Sequence, residues 1–266
     1  MNPRINRRHG AGFTLVELMV ASAIGLLILA GMANLFMNNS RAQAEVEKAN
    51  RQIENGRFAI DTLHTDLTNA GFYGEFDPTA MATPSLPDIC ATDLAALRAA
   101  LPLAVQGIDQ SQATALPCLE DRKEGTDVVV VRRTETCVAG TGNCAGTAAG
   151  GAFLQASLCP APSELGAGNP LLEFDLDSDT SRLTRRGRDC SLSGSGGTAA
   201  VIRRYLVHIY YVANNDNPDD GIPTLKRAEL GRADGSLGFT VVPLVEGIEN
   251  MQFEYGAGGV FTAVVS

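Results

Sequence analysis

The chain has no tryptophan and only three histidines, and just 19% of its 266 residues are charged. With so little histidine, and with neither a Cys-x-x-Cys pair nor a His-x-x-x-His spacing among its six cysteines, a zinc module is not expected. Basic residues are outnumbered, 21 Lys and Arg against 30 Asp and Glu, for a formal net charge of -9. Wholesale nucleic-acid binding needs the opposite balance. No phosphate-cradling glycine loop, nucleophile motif or paired-carboxylate signature occurs. The expectation is a protein that is not an enzyme and carries no cofactor or metal. What is present, 45% hydrophobic residues, excludes a disordered tail, and the length allows one or two domains.

The averages hide the N-terminus. Residues 1–12 hold Arg4, Arg7 and Arg8 and no acid, and residues 13–37 then carry a single charge, Glu17. From Leu18 to Met37 the chain is uncharged, about the ~20 residues that a helix needs to cross a bilayer. The flanking arginines mark the N-terminal side as cytoplasmic. A carboxylate beside such a run is costly in lipid and points to function. Glu17 lies four residues after Phe13, on the same helical face and close to the helix start, where negative charge is favoured.

Hydrophobicity falls after Met37 while helical periodicity continues. Val46, Ala49, Ile53, Gly56, Ile60, Leu63, Leu67 and Ala70 keep a three-and-four spacing, one narrow stripe on a polar helix. No proline interrupts residues 13–70, and Gly71 follows as a C-cap candidate. The pattern predicts one helix over 13–70: a membrane half at 13–37, and an amphipathic half with its end at 38–74. Residues 75–126 read as a long variable connection with a short helix at 93–101. Strands are expected at 127–134, with Arg132 and Arg133 leaving to solvent, and at 153–158, 171–176, 182–185, 201–212, 224–230, 239–245 and 251–255. Strands gathered after one long helix indicate α+β with a mainly antiparallel sheet, the head spanning 127–266.

All six cysteines lie after the apolar run, and an even count suits disulfides in an oxidising compartment. The pairing is open. Cys137–Cys144, closing a small glycine-rich loop, is the first candidate; Cys90–Cys118 and Cys159–Cys190 follow by proximity, and free structural thiols remain the alternative. Asp175, Asp177 and Asp179 alternate like the start of a calcium loop, but Thr180 and Arg186 replace its glycine and closing glutamate. Asn215, Asn217 and Asp219 fail similarly. Arg182, Arg185, Arg186 and Arg188 cluster beside acids and are expected in internal pairs rather than on DNA. His208, inside an apolar strand, is expected as a packed or edge histidine.

Gly12-Phe13-Thr14-Leu15-Val16-Glu17, between a basic leader and an apolar run, resembles the type III signal of type IV pilins. The resemblance implies cleavage by a prepilin peptidase between Gly12 and Phe13, and methylation of the new Phe13 amine. It also implies a register role for Glu17, paired with a neighbouring subunit's N-terminal amine. Asn55-Gly56-Arg57-Phe58-Ala59-Ile60, Asp66-Leu67 with Ala70-Gly71-Phe72-Tyr73-Gly74, Gly125-Thr126-Asp127-Val128, and Leu244 through Gly256 resemble PilW-type minor pilins. The likeness covers roughly residues 8–74 and 124–256. Family members continue past the tyrosine-glycine pair with an Asp-rich loop, a tryptophan and a final strand; here Gly256–Ser266 is short by comparison, which leaves the last sheet edge open. The resemblance implies a pilin-like structural subunit at or near the tip of a type IV pilus. It would sit in the bacterial inner membrane as a single-pass protein with a periplasmic head, and then in the filament. Implied partners are other minor pilins, the major pilin and the inner-membrane assembly platform. The rivals are a J-type minor pseudopilin of type II secretion and a tip adhesin or DNA-uptake subunit.

Overall fold

The computed structural model describes residues 12–82, 85–110, 116–191, 198–218, 220–233, 236–255 and 261–265. The chain falls into two compact units, residues 1–53 and 54–266. Helix α1, Leu15–Thr68, runs unbroken through the boundary. In the first unit its large apolar side chains from Leu15 to Met37 are exposed, and the stretch is long and apolar enough to cross a membrane. Such surface left in water forgoes roughly 1.5–3 kcal/mol per large side chain, so this segment requires lipid or other helices around it.

The second unit is the end of α1 laid on an antiparallel sheet. Its elements are α2 (Leu94–Ala99), β1 (Val105–Ile108), β2 (Val128–Thr134), β3 (Ala152–Ala156), β4 (Phe174–Asp177), β5 (Ile202–Ala213), β6 (Thr224–Ala233) and β7 (Ser236–Glu246). A separate two-stranded sheet joins β8 (Met251–Tyr255) to β9 (Phe261–Val265). The main order is β1-β2-β5-β3-β4, with β6 on β5 and β7 on β6. Tyr205 pairs with both Thr134 and Ala152, and His208 with both Val131 and Glu229. Strand β5 therefore carries β2 along one edge, and β3 then β6 along the other.

Strand parity divides the core. Val128, Val130, Val207, Ile209 and Tyr211 share one cluster with Leu101. Val129, Val131, Tyr210, Val212 and Leu225 share the other with Ala59 and Leu63 of α1. Both faces of β2 and β5 are covered, which is why these strands read as continuous apolar runs.

Several expectations are corrected. The helix ends at Thr68, short of Ala70; Gly71, at φ 76°, gives its N–H to Arg132 O at 2.9 Å, which ties the turn to β2. Leu63, Leu67 and Ala70 of the expected stripe do pack against the sheet, but Ala59 and Asp66 are buried beside them and Ile60 is 48% exposed. Arg132 and Arg133 do not leave to solvent: Arg132 is buried, its guanidinium donating to Leu103 O (3.0 Å) and Gln106 Oε1 (2.7 Å), and Arg133 is half-buried. The 75–126 connection contains β1, which extends the sheet beside β2. Residues 182–185 form no strand; Thr180–Arg182 is a 3-10 turn started by Asp179 Oδ1 accepting from Ser181 N, and one bridge, Arg186 to Ala199, follows. Leu171 and Leu172 lie in a similar turn, so β4 starts only at Phe174.

Candidate assembly site

The N-terminal end of α1 is closed by its own side chains. Thr14 Oγ1 accepts the Glu17 N–H (3.3 Å), and Glu17 Oε2 accepts both the Thr14 N–H and its hydroxyl, each at 2.9 Å. This is a capping box: it satisfies amides that the first helical turn leaves unpaired and brings negative charge to the positive end of the helix dipole. Glu17 thus has a local structural task that the spacing Thr-x-x-Glu already carried. Phe13 is 91% exposed, and a Cβ placed on Gly12 would meet none of the described residues within 4 Å. Residues 1–11 of the leader lie outside the described residues.

The other end of α1 is pinned to the head by one buried carboxylate. Asp66 Oδ1 accepts from Arg133 Nε at 2.6 Å, and Oδ2 takes the Tyr210 hydroxyl at 2.8 Å and His208 Nδ1 at 2.5 Å. Parity explains the meeting. Arg133 continues the face of Val129 and Val131, and His208 and Tyr210 lie on the helix-facing side of β5. Burial by itself would raise the Asp66 pKa. The His208 hydrogen bond and charge, the Arg133 guanidinium and the Tyr210 hydroxyl outweigh it and hold the carboxyl well below the usual carboxylate range. Burial, then the Asp66 charge, push the Tyr210 phenol upward. Glu229 lies across from His208 in register and is paired with Arg227, whose guanidinium sits 5.9 Å over the Tyr210 ring. Asn55 adds a bond to Glu246 O at 3.0 Å. A groove of about 320 Å³ runs along this joint, with Phe58, Thr62 and Thr65 on the helix side and Arg133, Tyr210 and Arg227 on the sheet side.

Sequence reading missed this cluster. The available signal was a polar residue, Asp66, at helical spacing from Ala59 and Leu63, together with a histidine in an apolar strand.

The remaining candidates have local partners. Cys90–Cys118, Cys137–Cys144 and Cys159–Cys190 are disulfides. Arg185 pairs with Asp175 (2.9 Å), Arg186 with Glu164 (2.5 Å), and Arg182 with Asp177 and Asp179 (3.9 and 3.8 Å), whereas Arg188 is exposed. Asn215 and Asn217 are engaged with Asp121 and Asp220; Asp219 lies outside the described residues.

A capped apolar helix, continuous with the amphipathic segment that an antiparallel head holds, is the architecture of a pilin-like protein. Residues 7–33 match the prokaryotic N-terminal methylation motif, which makes this a prepilin-like chain. Residues 209–265, from the second half of β5 to β9, match the PilW family, described as type IV pilus-assembly protein W. Together the two matches support a type IV pilus-related pilin of the PilW type. No curated protein and no solved structure matches it. Domains of the pilin family are structural rather than catalytic.

Proposed function

We propose that this chain is a minor pilin that takes part in initiating and assembling type IV pili, as a non-enzymatic subunit at or near the filament tip. The observation that carries the reading is one chain that joins a methylation motif and a bare apolar helix to a PilW-matched head. In this reading residues 1–12 are a cytoplasmic leader removed by prepilin peptidase between Gly12 and Phe13, and Phe13 is then N-methylated. The 13–37 segment first spans the inner membrane, with the head in the periplasm, and afterwards packs among other pilins. Glu17 is exposed, and both bonds from Thr14 end on Oε2. In this reading the carboxylate pairs with a neighbour's N-terminal amine and sets register. The partners are other minor pilins, the major pilin and the inner-membrane assembly platform.

The PilW match favours this reading over a J-type pseudopilin of type II secretion. The internal pairing of Arg182, Arg185 and Arg186 gives a DNA-uptake surface no support.

The test is complementation of a deletion strain. Wild-type protein should restore pili seen by electron microscopy, with N-methylphenylalanine at residue 13 as the mature N-terminus. Glu17→Ala should insert and be cleaved but leave piliation reduced at least tenfold. Normal pili from Glu17→Ala would remove the register role, and a mature N-terminus at Met1 would remove the processing claim.

A further inference from the structure

The three disulfides do not share one environment. In two of them a backbone N–H donates to a sulfur: Cys118 N–H to Cys90 Sγ at 3.3 Å, and Ala161 N–H to Cys159 Sγ at 3.4 Å. Cys159 is also fully buried. Cys137 and Cys144 are half-buried and close a loop whose tip, Gly140 to Asn143, is exposed. The loop is tied down on the β5 side by Ala139 N–H to Ile202 O (2.9 Å), and the chain just before it by Glu135 N–H to Arg204 O (2.9 Å). That tether delivers an acceptor to the sulfurs instead of a donor. A carboxylate oxygen of Glu135 and both sulfurs lie within 4.8 Å of one another. The Glu135 Oε2 atom is shut off from solvent and receives no hydrogen bond from the described residues. Among the described residues, neither of the other disulfides has a carboxylate oxygen so close to both sulfurs.

We propose that Cys137–Cys144 is a thiol–disulfide exchange site, tuned by Glu135, whose reactants are external thiols. A buried acceptor without a donor is costly, and a disulfide has no hydrogen to give it. A thiol does. The Glu135 carboxylate, with one buried oxygen unpaired and an oxygen beside both sulfurs, therefore weighs on the oxidised form and is relieved in the dithiol, where a cysteine S–H can donate to it. The consequence is that this pair is reduced more readily than the other two, and the exposed loop tip gives a thiol access to it.

In the exchange an external thiolate attacks one sulfur, and the Cys137–Cys144 bond breaks. Its electron pair leaves on the other sulfur, which takes a proton and becomes the S–H beside Glu135. A second external thiol resolves the mixed disulfide. Two reductant thiols have then become one disulfide, and the two cysteines have gained two electrons and two protons.

The experiment equilibrates the full-length protein, in detergent micelles, with reduced and oxidised glutathione at a series of ratios. Rapid alkylation and peptide mass spectrometry then quantify each pair. Cys137–Cys144 should reach half-reduction at a value of [GSH]²/[GSSG] at least tenfold lower than either other pair, a separation of about 30 mV for a two-electron couple. Glu135→Ala should move that midpoint tenfold or more toward the others while leaving theirs in place, which also reports that the variant is folded. Three pairs that titrate together, a Cys137–Cys144 pair that is reduced last, or an unmoved midpoint in the folded variant would each overturn the proposal.

Discussion

Replacing Asp66 tests whether one buried carboxylate joins helix to head. In Asp66→Ala, Arg133 loses its 2.6 Å partner, and His208 and the Tyr210 hydroxyl lose their shared acceptor. The Asp66 side chain is 5% exposed and that of Arg133 16%, so solvent replaces little of what is lost. Removing one member of a buried pair costs about 3–5 kcal/mol, because the groups left behind are unpaired. For a head of this size, 1 kcal/mol corresponds to roughly 2–4 °C, so Asp66→Ala should lower the melting temperature by about 6–20 °C. Asp66→Asn keeps the shape and loses charge-assisted bonds only, and should cost about 1.5–3 kcal/mol. With no tryptophan in the chain, tyrosine fluorescence and near-ultraviolet circular dichroism follow the transition, and both report on Tyr210. The pH dependence has a definite sign. Asp66 has a depressed folded pKa, so its contribution is fully present above the unfolded carboxylate value of about 3.9 and is lost as pH falls through the lower folded value. Wild type and Asp66→Asn should therefore converge as the pH is lowered below about 4. An Asp66→Ala melt within 1 °C of wild type, or a gap that widens in acid, would refute the reasoning.

Other expectations follow from the packing. Leu63→Ala should cost about 2–5 kcal/mol in chemical denaturation, because Leu63 is 2% exposed against the sheet. Ile60→Ala, at a 48% exposed position, should cost under about 1 kcal/mol; equal costs would mean that the helical phase is wrong. Gly74 sits at φ +67°, and a Cβ there would lie 2.7 Å from Arg203 Nε. Gly74→Ala combines left-handed strain of about 1–2 kcal/mol with displacement of Arg203 from its place 5.4 Å over the Phe72 ring. Its denaturation midpoint should fall accordingly, with the slope unchanged.

What the amino-acid order determines by itself here is local. The leader-to-apolar boundary and the uninterrupted helix depend on groups within a few residues of one another, so spacing alone reports them; the Thr14-x-x-Glu17 box is equally local, but its bonds emerged only in the structure. The valine run of β2 and the β-prone, largely apolar run of β5 were legible for the same reason, and the family motifs supplied the class of protein. Tertiary structure decided what depends on which strands become neighbours. Residues 105–108 are a strand because β2 offers an edge to them, and nothing in four residues of sequence says so. Residues 182–185 are not a strand because the side chains of Asp179 and the neighbouring acids occupy the turn and the arginines. Charge usually ends a buried strand, so in sequence Arg132 and Arg133 read as an exit to solvent. The sheet instead carries them inward, where parity sends Arg132 to carbonyl and amide oxygens on one face and Arg133 to Asp66 on the other. Asp66 and His208 are 142 positions apart. Only the register of β2, β5 and the end of α1 brings them to 2.5 Å, and that contact holds the last turns of α1 to the sheet.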